Sequence, residues 1–83
     1  MSSLTSLPNV GVVLEKNLNA IGIFTPEELI RIGSKEAFLR IKLIDHNACL
    51  HMLYGLQGAI EGIRDTKLSQ ETKDGLREFY HTL

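Results

Sequence analysis

Leu7-Pro8-Asn9-Val10-Gly11 leads straight into a helical pattern of apolar residues. A turn of that composition aims the first N–H groups of the helix outward, at the positive end of the helix dipole. A phosphate or carboxylate oxygen could dock on the amides of Gly11, Val12 and Val13. Asn9, Val10, Gly11, Val12, Val13 and, one turn further on, Lys16 are therefore the candidate DNA- or anion-binding residues. Plain structural capping is the competing reading, and it outweighs phosphate binding because every helix must satisfy its first N–H groups.

Other chemistry-bearing residues fall short of a site. His46 and Cys49 have a His-x-x-Cys spacing that sets two metal ligands on one helical face. His51 would then point roughly 200° around the helix from Cys49, and no carboxylate lies between 47 and 60 to complete a zinc set. Cys49 is better read as a small buried hydrophobe. As nucleophiles, Cys49 or Ser69 would need a base held by a third group, and no spacing supplies one. Glu27 and Glu28 are adjacent at a helix start, where the dipole already accounts for them. These absences argue against an enzyme, and no cofactor or metal is expected.

The elements that must hold the turn have to come from 83 residues, the size of one small domain. Leu and Ile together supply 21 positions and Val only 3, a bias toward helix formers over strand formers. Net charge is −1, without the electrostatic footprint of a chain that holds nucleic acid by charge alone. Arg31, Lys35, Arg40 and Lys42 make a local basic run with only Glu36 against them. A solvated helix face is the stronger reading of that run. The single cysteine excludes an intramolecular disulfide, and no signal-like or membrane-spanning stretch is present. A cytoplasmic protein is expected.

Residues 1–6 are expected to be loose, with order beginning near Leu7. The stripe Val10, Val13, Leu14, Leu18 and Ile21 predicts a first helix stopped at Gly22. Thr25-Pro26-Glu27-Glu28 predicts a capping box opening a short second helix, with Phe24 and Leu29 as its hydrophobic staple. Ser34 offers an N-cap for a third helix over about 35–44. Ala37, Phe38, Ile41 and Ile44 face inward there, and Leu39 and Leu43 on another side suggest a neighbour or an interface. A fourth helix over about 47–63 takes Asn47 as cap and Cys49, Met52, Leu53, Leu56, Ile60 and Ile63 as its buried face. Ala48, Gly55, Ala59 and Gly62 form a small-residue strip for close approach of another backbone. Ser69 caps a last helix, about 69–82, with Thr72, Leu76, Phe79 and Leu83 on one face. The whole reads as one all-α domain over 1–83, a compact orthogonal bundle of about five helices.

The Pro8 to Gly11 turn resembles the hairpin of helix-hairpin-helix DNA-binding motifs, in which backbone amides grip a phosphate without reading sequence. Asn9 stands where those motifs usually carry a first glycine, and Val12 and Val13 stand where a Pro and a basic residue often follow. The set made of this turn, Gly22-Ile23-Phe24-Thr25-Pro26-Glu27-Glu28-Leu29, Asn47-Ala48-Cys49-Leu50 and Leu53-Tyr54-Gly55-Leu56-Gln57-Gly58-Ala59 resembles the C-terminal domain of the TfoX/Sxy competence regulators over about 5–80. The resemblance implies a SAM-like or helix-hairpin-helix-like fold and a family whose full-length bacterial members promote expression of DNA-uptake genes alongside a cyclic-AMP-responsive activator. It brings no catalytic residues. Those members carry a separate N-terminal domain, so a stand-alone member is expected here. His46 stands where the family has proline.

Two functional readings follow. One is a non-catalytic module for transcription regulation or DNA transactions that works by protein contact, with a homodimer as one form of that contact. The other is weak, sequence-independent DNA-backbone binding through the amides at 9–13.

Overall fold

The computed structural model describes residues 4–83. Among them are five α-helices and no strand: α1 Val12–Ala20, α2 Pro26–Ile32, α3 Ser34–Ile44, α4 Leu50–Glu61 and α5 Gln70–His81. One-turn 3-10 helices at Leu4–Ser6 and Asp65–Lys67 precede α1 and α5. The Cα radius of gyration, 11.6 Å, matches the roughly 12 Å expected of a compact chain this long. No helix of the described residues is long and apolar enough to cross a membrane.

α4 is the central helix, packed against α3, α5, α2 and the 3-10 turn at 65–67. Leu53 and Leu56 from α4 meet Phe38 and Ile41 from α3, Leu18 from α1 and Leu29 from α2 in one core. Ser34 is the buried polar residue, and its hydroxyl donates to Gln57 Oε1 at 2.6 Å. That bond offsets the desolvation of the hydroxyl while tying the start of α3 to α4.

Local chemistry sets the helix ends. Thr25 Oγ1 accepts from the Glu28 N–H at 3.2 Å, and Glu28 Oε1 accepts from the Thr25 N–H at 3.1 Å, the reciprocal capping box that the sequence predicts. Ser69 likewise caps α5, accepting from the Thr72 N–H at 3.1 Å. α1 ends in a Schellman turn: Gly22 is left-handed, and the Ile23 N–H reaches Leu18 O at 2.9 Å. Both flanking side chains, Leu18 and Ile23, are fully buried.

Several expectations are corrected. Leu4 is fully buried and opens a 3-10 turn, so order begins before Leu7, and only residues 1–3 of the loose stretch lie outside the described residues. α4 starts at Leu50 behind Cys49, not behind Asn47, whose N–H is taken by Asp45 Oδ1 at 2.9 Å. Cys49 is exposed rather than buried. Gly62 is not in the α4 interior; it is the left-handed residue that stops the helix. Gly33, with φ 89°, takes the cap position expected of Ser34. Val13, Ile44 and Leu83 face solvent, because each sits in the first or last turn of its helix or beyond its end, where no other element covers it.

Candidate functional site

The turn before α1 divides into an inward and an outward half. Asn9 is left-handed, φ 69°, a conformation Asn tolerates better than other residues with a Cβ. Its side chain turns into the molecule: Nδ2 donates to Ile63 O at 3.0 Å and Gly55 O at 3.4 Å, and Oδ1 accepts from the Asp65 N–H at 3.1 Å. Val10 follows it into the core, and its N–H is held by Leu7 O at 3.4 Å. Two of the candidate binding residues thus spend their side chains on the fold. What Asn9 grips, the end of α4 and the start of the 3-10 turn, could not be inferred from spacing.

Gly11, Val12, Val13 and Lys16 form the outward half. Gly11 is the extended N-cap of α1, and no side chain caps the helix. The N–H groups of Val12 and Val13 find no acceptor among the described residues, the first bond of the turn being that from Glu15 N–H to Gly11 O at 3.0 Å. Val13 is 74% exposed. Lys16 shares its face, being three residues from Val13 and four from Val12.

The N-terminus of α4 comes to the same place. Gly11, Val12, Val13 and Leu14 at the start of α1 and Cys49, His51 and Met52 at the start of α4 line an open groove of about 430 Å³. α4 too has no side-chain cap. His51, Met52 and Leu14 continue into a second hollow of about 210 Å³ floored by Asn9 and Gly55 and edged by Arg64 and Asp65. His51 Nδ1 lies 3.5 Å from Asp65 Oδ2. This convergence of two helix N-termini joins residues nearly 40 apart, and the sequence carries no signal for it, since Asn47 reads there as the cap of the fourth helix.

Lys35, Arg40 and Lys42 of the basic run are occupied elsewhere. Arg40 pairs with Glu36 at 3.0 Å, Lys42 Nζ donates to Ala48 O at 3.0 Å, and Lys35 Nζ stands 5.4 Å from the centre of the Phe79 ring. Lys42 also lies 6.0 Å from the Tyr80 ring. Lys35 and Lys42 thus brace α3 against α5 and the 45–49 turn, while Arg40 stays paired along α3. Among the described residues no group of three or more His, Cys, Asp and Glu could hold a metal ion. The Ser69 hydroxyl is engaged with Thr72, and Glu28 is consumed by the α2 cap.

Five helices behind an uncapped, outward-facing turn make this a small all-α domain. The TfoX C-terminal domain family matches residues 1–80, and the chain belongs to that family. Two crystal structures from Listeria monocytogenes are closely similar. One, of an uncharacterized protein in a triclinic form, has a TM-score of 0.94 and 48% identity, covering 95% of this chain and 90% of that one. The other, of a protein of unknown function in a tetragonal form, has the same score and identity and covers 96% of this chain and 98% of that one. No curated protein matches the chain significantly.

Proposed function

We propose that this chain is a non-catalytic interaction module of the cytoplasm, concerned with transcription or DNA uptake, that works by contact with another protein. Family membership supports the regulatory setting. The first turn of α1 carries the preference for protein. Where a phosphate-gripping hairpin often carries a Pro and a basic residue, this chain presents Val12 and Val13 to solvent beside the groove formed with Cys49 and Met52. A phosphodiester backbone cannot bury such surface, whereas a protein partner gains about 25 cal/mol for each Å² of it removed from water. A second copy of the chain is one form that partner can take.

The second reading is weak DNA-backbone binding by the amides of Gly11, Val12 and Val13 with Lys16, favoured by the lack of an internal acceptor for the Val12 and Val13 N–H groups. Titration of labelled short duplex DNA at about 50 mM salt separates the two. The protein-contact reading expects no binding. Salt-sensitive binding that Gly11→Asp abolishes, with helicity intact, overturns it in favour of DNA.

A further inference from the structure

Deepening the protein-contact reading, on which it rests, we infer that the groove between the N-terminal ends of α1 and α4 recognises an acidic, hydrophobic peptide segment of a partner protein. The lining is mostly apolar, with Val12 and Val13 on one wall and Met52 beside the exposed His51 on the other. Open to solvent and of about 430 Å³, it is a surface groove that suits one or two anchoring side chains rather than a whole ligand.

The polar features of the groove's rim specify the charge of the occupant. Both walls begin as helix N-termini without a side-chain cap, and the N–H groups of Val12, Val13, Leu50 and His51 find no acceptor among the described residues. Each terminus carries about half a positive charge. Lys16 on the exposed face of α1 and Arg64 at the edge of the adjoining hollow have no ion-pair partner among the described residues. Two carboxylates are near. Asp65 is only 14% exposed and turned toward His51, and Glu15 is half-buried on α1. A partner carboxylate would supply the missing acceptor while its neighbouring apolar side chain covers the valines. A phosphate could serve only the first need, and a neutral apolar segment only the second.

The test is selection of a random dodecapeptide display library on the full chain, with Val13→Asp as counter-target and binding of the winners followed by amide chemical shifts. Asp at the second position of α1 favours the helix through its dipole, so this variant keeps its fold while losing the apolar wall and the free positive charge. Enrichment of Asp or Glu beside Leu, Ile or Phe is expected, with shifts confined to amides 11–16, 49–52 and 64–65. Binding should fall at least tenfold in Val13→Asp and several-fold in Arg64→Gln. Winners without acidic residues overturn the charge assignment and leave the protein-contact reading standing. Winners that bind Val13→Asp equally well, or no winners at all, overturn the groove as the docking surface. Duplex DNA that shifts the same amides overturns this inference and the protein-contact reading together. Concentration-dependent shifts of those amides in the protein alone assign the groove to a second copy of the chain instead.

Discussion

The side-chain amide of Asn9 lies against the bare Cα of Gly58, so closely that a Cβ at 58 would stand 2.6 Å from Asn9 Nδ2 and 2.8 Å from Ile63 O. The turn before α1 and the end of α4 approach each other there because residue 58 carries no Cβ. Gly58→Ala is expected to destabilise by about 1–3 kcal/mol, overpacking outweighing the roughly 1 kcal/mol that Ala gains in helix propensity. Gly75 in α5 is the control. Nothing lies within 4 Å of a Cβ built there, so Gly75→Ala should stabilise by about 0.5–1 kcal/mol. Urea unfolding of both variants checks the opposite signs.

Asn9 contributes through two separable effects, its left-handed backbone and its hydrogen bonds to Ile63, Gly55 and Asp65. Asn9→Ala loses both and should cost about 3 kcal/mol, at roughly 1 kcal/mol for each of the two shorter bonds, to Ile63 O and from the Asp65 N–H, and about 1 for the backbone. Asn9→Gly keeps the backbone permissive and loses only the bonds, so it should cost less. Thermal unfolding in which Ala and Gly are equally damaging would locate the whole effect in the side chain.

What the sequence discloses follows from the range of the interactions. The α2 capping box and the Ser69 cap are made between residues three apart, and both are read directly from residue order. Gly22 as a helix stop is local in the same way. The small-residue strip on α4 points to a close approach, and Gly55 does meet Asn9, its missing Cβ 3.5 Å from that of Asn9. Gly58, the tighter contact, was outside that strip, because its neighbour is fixed by a pairing across 49 residues rather than by helical spacing. Asn47 fails as a cap for a local reason: the Ala48 N–H closes a turn on Asp45 O at 3.1 Å, and the first helical bonds, from the Met52 and Leu53 N–H groups, go to Cys49 O. The binding turn is visible as a motif, but its apolar partner wall on α4 is not, since it exists only once α1 and α4 are folded together.

Glu28 gives the α2 cap a pH dependence. The Phe24 N–H bonded to its carboxylate, helped by the Thr25 hydroxyl and N–H and the nearby Arg31 charge, holds its pKa below the ordinary glutamate value, against a smaller opposing effect of desolvation. The folded state therefore binds the proton less readily than the unfolded chain. The capping contribution is fully present above the unfolded pKa and is lost as pH falls through the folded one. Asp74, lowered by its bonds to Gln70 and Arg77, acts in the same direction. Unfolding followed down the acid range should show stability declining on that limb, and Glu28→Gln should flatten part of the decline. A side-chain NMR titration that places Glu28 at the usual glutamate value would contradict the cap's electrostatic role.

Gly11 holds the N-cap of α1 in an extended conformation, φ −98° and ψ −172°, that any residue adopts, and a Cβ there would meet nothing within 4 Å. Steric need therefore does not explain the glycine. An Asp at this position can accept from the second or third N–H of the helix and restricts the unfolded chain, effects that together are worth about 0.5–1 kcal/mol. Gly11→Asp should accordingly raise the melting temperature by about 2–8 °C for a domain of this size, measured by circular dichroism. The same carboxylate occupies the amides that an incoming acidic group would use, so it should weaken capture of an acidic peptide at least tenfold. Higher stability with weaker capture identifies the bare N-terminus as a stability cost carried for binding. Higher stability with unchanged capture means that the partner is held by Val12, Val13 and Met52 alone.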